Sequence, residues 1–155
     1  MNIELLAAGT RPPAWINEGF REYQKRLSGD WKLQLVEVPV ARRTKGASTV
    51  KLKEQEGEKM LDLVKPGSLL VALDVAGVTM STAQLAQELR RWMLDYSRVQ
   101  IMIGGPDGLS DACLSSAAKA LSLSKLTFPH FVVRMLVAEQ LYRAWTIINN
   151  HPYHK

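Results

Sequence analysis

The sequence has a single cysteine, Cys113, so no disulfide can form within the chain. One thiol without a partner suits a reducing compartment, and we expect the protein in the cytoplasm. The first residues, 1–4, lack the basic and then apolar order of a signal peptide. No stretch is apolar for long enough to cross a bilayer, so we expect no membrane association.

Motifs of several enzyme classes are also missing. The glycines after residue 103 lack the spacing of the dinucleotide fingerprint and the lysine of a phosphate-binding P-loop, which argues against a dehydrogenase. No Gly-x-Ser-x-Gly elbow supports a serine hydrolase. The three histidines, His130, His151 and His154, have no cysteine pair and no regular helical spacing. We therefore expect no metal.

The charge balance is mildly basic, with 20 Lys and Arg against 15 Asp and Glu. The loop Ala41–Gly46 concentrates this charge in Arg42, Arg43 and Lys45. One interpretation is that these three residues contact the phosphates of a nucleic acid, with an affinity that falls steeply as salt rises. The alternative is a mobile loop whose cations are solvated.

Apolar runs and amphipathic stretches alternate along the chain. This pattern predicts an α/β fold in which helices flank a mostly parallel sheet. The 155 residues suffice for one core, no linker divides them, and we expect a single domain over 1–155. Strands are predicted at 3–8, 33–38, 69–73, 99–103 and within 121–128, and helices at 14–27, 50–64, 81–94, 110–120 and 131–148.

The last predicted helix, 131–148, is apolar on almost every side. Three of its few polar residues, Glu139, Gln140 and Arg143, cluster on a helical wheel, and Arg134 lies opposite them. Such a helix must be covered on more than one side. We expect the sheet to cover one face and a second copy of the chain to cover another, in a two-fold homodimer. A helix at the centre of a monomer is the alternative.

Gly104, Gly105 and Gly108 follow a buried apolar run. A strand that ends in glycines leaves backbone amides uncovered at the edge where open α/β sheets bind ligands. The loop 122–128 adds hydroxyl groups and apolar walls, and Leu73 can supply a third wall. Together these segments suit a ligand with a flat ring and polar edges. A plain tight turn at the glycines is the alternative.

Histidines and the cysteine receive different interpretations. His130 follows Pro129 and is interpreted as a cap of the last helix. Cys113 lies on a helix of small residues and is interpreted as part of the core. The terminal Tyr153 and His154 can reach over a neighbouring active site, or they can belong to a solvated tail.

Four segments together resemble the ribosomal RNA large subunit methyltransferase H family, which belongs to the SPOUT class of knotted methyltransferases. The resemblance also includes Ala8–Thr10, the helix around 18–23 and the basic loop, and it extends over essentially the whole chain. The four segments are Ile103-Gly-Gly-Pro-Asp-Gly108, Leu121-Ser-Leu-Ser-Lys-Leu-Thr-Phe-Pro-His130, Val137-Ala-Glu-Gln-Leu-Tyr-Arg-Ala-Trp145 and His151-Pro-Tyr-His-Lys155.

The resemblance implies S-adenosylmethionine as the methyl donor. It implies methylation at N3 of a pseudouridine in 23S ribosomal RNA, with a preference for assembled ribosomes over free RNA. It also implies a homodimer, and a trefoil knot at the carboxyl-terminal end that the periodicity of the sequence does not reveal. Alternatives are another acceptor nucleotide in rRNA or tRNA, and a noncatalytic ribosome-binding factor.

The resemblance assigns roles to particular residues. Tyr153 and His154 correspond to the tail that contacts the substrate, with His154 as the candidate proton acceptor. Arg134 and Arg143 are candidates for contact with phosphate or with the anionic ring, although an ion pair with Glu139 is equally expected for Arg143. The positions that match the donor site of the family are Leu73, Gly104 with the adjacent Gly105, Leu123, Ser124, Lys125, Leu126, Thr127 and Phe128.

Overall fold

The structure is a computed structural model that describes all residues 1–155. Strands and helices alternate along the chain, and a short 3-10 turn, Pro152–His154, closes it. The strands are β1 Asn2–Ala8, β2 Lys32–Val38, β3 Leu69–Thr79, β4 Arg98–Ile103 and β5 Lys119–Ser122, and the helices are α1 Ala14–Arg26, α2 Thr49–Leu61, α3 Thr82–Asp95, α4 Asp111–Ser116 and α5 His130–Ile148.

The five strands form one sheet in the order β2-β1-β4-β3-β5, and every neighbouring pair is parallel. The α/β class and the parallel sheet predicted from the sequence are therefore confirmed. Because all the strands run the same way, their carboxyl ends meet at one edge, where the loops after β1, β3, β4 and β5 come together.

Alternating side chains of each strand face two different helical layers. The larger core lies on one side, where α1, α3 and α5 cover residues such as Ile3 and Leu5. The smaller core lies on the other side, where α2 and α4 cover Leu6, Met102 and Cys113. Cys113 is fully buried, which agrees with its interpretation as a core residue.

Local sequence explains where the helices begin. The Ser81 hydroxyl accepts a hydrogen bond from the Gln84 amide at 3.2 Å, and the Gln84 side chain accepts one from the Ser81 amide at 2.7 Å. This is the capping box that the sequence predicts before α3. Ser48 and Ser110 accept equivalent bonds at the starts of α2 and α4. None of the helices is both long and apolar enough to cross a membrane.

Four elements differ from the prediction. The strand expected within 121–128 is β5 at Lys119–Ser122, and the helix expected over 50–64 ends at Leu61. The helix predicted over 110–120 ends at Ser116, because the chain must turn to place β5 at the edge of the sheet beside β3. The third strand continues to Thr79, beyond the predicted end at Leu73. Leu73 is the last residue that pairs with β4, and the extension beyond an irregularity pairs with β5 alone.

Candidate active site

A cavity of about 690 Å³ opens at the carboxyl edge of the sheet. Three segments form its walls: β3 where it leaves β4, the turn after β4, and the loop between β5 and α5. The sequence predicts this meeting of segments, and the structure brings them together. The lining residues are Leu73, Asp74, Val75, Ile103–Gly108, Ser122–Ser124, Leu126–His130 and Val133. The side chain of Lys125 is exposed and does not line the cavity.

The turn after β4 is tight, and its shape depends on glycine. A Cβ atom on Gly104 would lie 2.4 Å from the carbonyl carbon of Gly108, whereas ordinary contacts begin near 3.4 Å. The Gly108 amide donates to the Gly105 carbonyl at 3.0 Å, and Gly108 has a φ of +84°. A side chain at either position would open the turn, so glycine keeps the backbone close to the cavity.

The loop between β5 and α5 is held by its own hydroxyl groups. Ser122 donates from Oγ to the Ser124 carbonyl at 2.9 Å, and the Ser124 Oγ accepts from the Leu126 amide at 3.0 Å. The side chains of Leu123 and Leu126 are left 39% and 70% exposed. Apolar side chains beside backbone polar groups suit a ligand that has an apolar or flat part and polar edges.

An ion-pair network joins the basic loop to the glycine turn. Arg43 donates to Asp107 Oδ2 from Nε at 3.0 Å and from Nη2 at 2.7 Å. Its Nη1 donates to Glu56 Oε1 at 2.8 Å and to the Ala41 carbonyl at 3.0 Å. The hydrogen bond with Glu56 raises the pKa of Arg43, followed by that with Asp107, so the guanidinium stays charged. Arg42 and Lys45 are exposed.

His130 lies in the cavity, and its predicted role as a helix cap is wrong. The helix begins at His130 itself, Pro129 occupies the cap position, and no side chain caps the helix. The imidazole packs against the Phe131 ring, with 4.2 Å between the ring centroids. Burial lowers the pKa of His130, and Arg134 and Arg43 lower it further. The sequence analysis did not predict that His130 lines the cavity, because a histidine after a proline is not a pattern typical of a binding site.

We expect the lowered pKa of His130 to make folding sensitive to mild acid. The unfolded chain takes up a proton near the ordinary pKa of about 6.5, but the native chain does so only at lower pH. Stability is therefore lost as pH falls through this range. Urea unfolding from about pH 7.5 to about pH 5.5 should show a smaller loss for His130→Gln than for the wild type. An equal loss in both proteins would contradict the expectation.

Arg134 is fully buried, so the prediction that it contacts RNA phosphate is wrong. Its Nη1 donates to Glu37 at 2.8 Å, and its Nη2 donates to the carbonyls of Ala8 and Gly9 at 3.2 and 3.1 Å. The guanidinium also lies 4.8 Å from the centre of the Phe131 ring. Arg134 thus ties α5 to the end of β1, beside the cavity but without a free face for RNA.

Removing this tie should be costly. Arg134→Met leaves two carbonyls and the Glu37 carboxylate without their partner, and we expect it to lower the free energy of unfolding by about 2–3 kcal/mol. Glu37→Gln keeps a hydrogen-bond acceptor and should cost less. Chemical denaturation of the two variants gives the comparison. A loss below that of Glu37→Gln would show that the buried guanidinium contributes little.

The terminal residues pack along α5 and do not line the cavity of their own chain. The Tyr153 ring lies 4.7 Å from that of Tyr142, and its hydroxyl donates to Glu139 at 3.4 Å. Burial and the Tyr23 hydroxyl raise the pKa of Tyr153 to about 12. His154 is exposed. Arg143 pairs with Glu139 at 2.6 Å, which is the ion pair that the sequence analysis gives as one of two alternatives for this residue.

The whole chain matches the model of a known family. The match covers residues 1–154, and the family is described as predicted SPOUT methyltransferase. The chain belongs to the SPOUT methyltransferase family. Proteins named ribosomal RNA large subunit methyltransferase H are 51% identical in Hahella chejuensis, over 100% of this chain and 99% of the relative, and 49% identical in Azotobacter vinelandii, over 100% of both chains. A third, from Ectopseudomonas mendocina, is 50% identical over 100% of both.

A SPOUT methyltransferase needs a methyl donor, and the cavity fits one. It combines apolar side chains, uncovered backbone at a glycine turn and a volume of about 690 Å³. No three His, Cys, Asp or Glu side chains come together as a possible metal site. Leu73, Gly104 and the loop residues Ser122–Ser124 and Leu126–Phe128 line this cavity.

Proposed function

We propose that this chain transfers a methyl group from S-adenosylmethionine to N3 of a pseudouridine in 23S ribosomal RNA. We further propose that it acts on the assembled ribosome, in the cytoplasm. The observation that carries the proposal is the single cavity in which the glycine turn and the loop 122–128 meet. The names of relatives about 50% identical over the full length support the choice of ribosomal RNA.

The donor-binding residues we propose are Leu73, Gly104, Gly105 and the loop 123–128. Bound there, the donor would supply an electrophilic methyl carbon attached to a sulfonium. Leu73, Leu126 and Phe128 present apolar surface, and the turn and loop present backbone polar groups to the polar edges of a purine or an amino acid. Lys125 does not line the cavity, so its side chain is not proposed to contact the donor.

The acceptor nitrogen needs help because N3 of the base carries a proton. A bond forms between N3 and the methyl carbon as the bond from that carbon to sulfur breaks, and the N3 proton must leave. We propose that His154 accepts it, since histidine is the side chain most often used for general acid–base catalysis. An ordinary tyrosine is protonated at neutral pH, and the pKa of Tyr153 is raised further, to about 12. Its role is thus to orient or stack on the base.

The position of the tail favours a homodimer in which each chain completes the cavity of the other. Tyr153 contacts Glu139 and Tyr142. These lie six and nine residues beyond Val133, the last residue of α5 that lines the cavity, or about 9 and about 14 Å along the helix. The tail therefore lies far from the cavity of its own chain. Partly exposed apolar side chains on the same helix, including Val132, Met135 and Leu136, offer a surface that a second copy would cover.

A methyl-transfer assay tests the proposed substrate. Labelled S-adenosylmethionine is supplied with assembled ribosomes lacking this modification, with free 23S RNA and with tRNA, and the modified nucleotide is identified by mass spectrometry. We expect incorporation into one pseudouridine and preferentially in ribosomes. Incorporation into tRNA or a different nucleotide would replace the proposed acceptor. Absence of donor binding in calorimetry would instead indicate a noncatalytic ribosome-binding factor.

A further inference from the structure

Arg43 has an environment unlike that of its neighbours in the basic loop. Its guanidinium makes four hydrogen bonds of 2.7–3.0 Å, to Asp107, Glu56 and the Ala41 carbonyl. A guanidinium has five N–H donors. Four of the five donors of Arg43 are therefore engaged within the protein, although the residue is itself exposed. Arg42 and Lys45 are exposed too, but neither takes part in an ion pair.

One end of this contact is rigidly placed. The Glu56 side chain on α2 is only 4% exposed, and the same Oε1 also accepts from the Ala41 amide at 3.0 Å. Its other oxygen, Oε2, lies 3.2 Å from where a Cβ of Gly105 would be. Glu56 thus sits directly behind the glycine turn and fixes the position of the guanidinium relative to it.

The other end is part of the cavity. Asp107 lies in the turn 104–108 and lines the cavity, and Arg43 contacts one of its carboxylate oxygens from two nitrogens. Two hydrogen bonds from a charged planar group restrict both distance and orientation. The turn has no other side-chain contact of this kind, since its remaining residues are glycine and proline.

We propose that Arg43 is a positioning residue for the donor site: it holds the turn 104–108 in shape through Asp107, with Glu56 as the anchor. Arg42 and Lys45, not Arg43, are then the cations of this loop that face RNA phosphate. This inference rests on the proposed function in assigning the donor to the turn. It changes the role that the sequence predicts for Arg43.

Calorimetry with S-adenosylmethionine tests the proposal. We expect Arg43→Ala and Asp107→Asn each to weaken donor binding by about five- to tenfold, a size typical of coupling between sites. The double variant should lose little more than either single variant, because both changes break the same contact. Arg42→Ala is the matched control from the same loop, and its donor affinity should stay within about twofold of the wild type.

The salt dependence of ribosome binding gives an independent measure. Removing a phosphate contact lowers the slope of log affinity against log salt by about 0.7–0.9 per charge. Arg42→Ala combined with Lys45→Ala should lower it by about twice that amount, and Arg43→Ala should leave it unchanged. A lower slope for Arg43→Ala, with unchanged donor affinity, would make Arg43 a phosphate contact and overturn the proposal. The proposal would also be overturned if the double variant lost donor affinity by the product of the two single-variant factors.

Failure of the proposed Arg43–Asp107 contact and failure of the proposed function can be distinguished. If the wild type takes up no S-adenosylmethionine, the proposed function is wrong. The role of the Arg43–Asp107 contact is then tested without any donor, by hydrogen exchange of amides 104–109, which should be faster in Asp107→Asn than in the wild type. Unchanged exchange would refute the proposed role of Arg43. Asp107→Asn is nearly isosteric in a surface turn, so this test does not depend on how well Arg43→Ala folds.

Discussion

Deletion of Tyr153–Lys155, or His154→Ala alone, is expected to lower turnover by about 10²–10⁴-fold, the usual contribution of a positioned acid or base. Donor affinity should change little, because the tail is proposed to act on the acceptor base, whereas the residues proposed to hold the donor are Leu73, Gly104, Gly105 and 123–128. Stability should also change little for His154→Ala, since the side chain is exposed. The expected pattern is a loss of kcat with an unchanged dissociation constant for the donor.

Tyr153→Phe is the matched control for the tail. It keeps the ring that packs on Tyr142 and removes a hydroxyl whose hydrogen bond to Glu139 is long, at 3.4 Å. We expect turnover within a few-fold of the wild type, since such a long hydrogen bond between partly buried side chains contributes about 1 kcal/mol or less. If His154→Ala and Tyr153→Phe reduce turnover equally, the tail shapes the site and His154 is not the proton acceptor.

Mixed dimers show which chain supplies the tail. One chain carries Gly104→Ala and its partner carries His154→Ala. At a donor concentration well below the dissociation constant of the Gly104→Ala variant, each homodimer has only residual activity. If tails act across the interface, one of the two sites in the mixed dimer has an intact turn and an intact tail, and activity returns. If each tail acted on its own chain, both sites would remain defective and the mixture would stay inactive.

Gly104→Ala is expected to weaken donor binding by about 10²-fold, the effect of a misplacement near 1 Å at a site of this kind. The added Cβ would lie 2.4 Å from the Gly108 carbonyl carbon, and an ordinary contact begins near 3.4 Å. The two parts of the turn must therefore move apart by the difference between these two distances. Calorimetry with S-adenosylmethionine measures the loss, and urea unfolding checks that the variant is folded.

Gly105→Ala is the control for this substitution, in the adjacent residue of the same turn. Its Cβ would approach the Glu56 carboxylate to 3.2 Å and the Val40 side chain to 3.3 Å. Val40 and the Oε2 atom of Glu56, which makes no hydrogen bond, can shift by a few tenths of an ångström while Oε1 keeps its contacts. Alanine at residue 104 instead requires the backbone at Gly108 to move. We expect a much smaller loss for Gly105→Ala than for Gly104→Ala. A folded Gly104→Ala variant with wild-type donor affinity would contradict the assignment of the site.

Much of the fold could be predicted because its signals are local. Parallel strands buried on both faces appear as continuous apolar runs. Leu69–Leu73 is such a run, and Val99–Ile103 is apolar except for Gln100. The capping box at Ser81 marks the start of α3 from four residues. The extension of β3 to Thr79 could not be predicted, since it depends on pairing with β5, a strand 40 residues later.

The site was predictable in part for a similar reason. Glycines after a strand indicate a turn at the carboxyl edge, and the parallel sheet then brings the turn near the loop after β5. The roles of Arg134 and Arg43 were not predictable, because their partners are far away in sequence: Glu37 and Asp107. The residue type alone does not distinguish an arginine that faces solvent from one that is buried and paired with a distant carboxylate. The trefoil knot stays a prediction from the family.

Hydrogen exchange in the presence and absence of S-adenosylmethionine tests the central claim most directly. We expect the donor to slow exchange in two separated segments at once, the turn 104–108 and the loop 122–128, and to leave the exposed loop 42–46 less affected. Protection in only one of the two segments, or elsewhere on the sheet, would contradict the claim that they form one donor site.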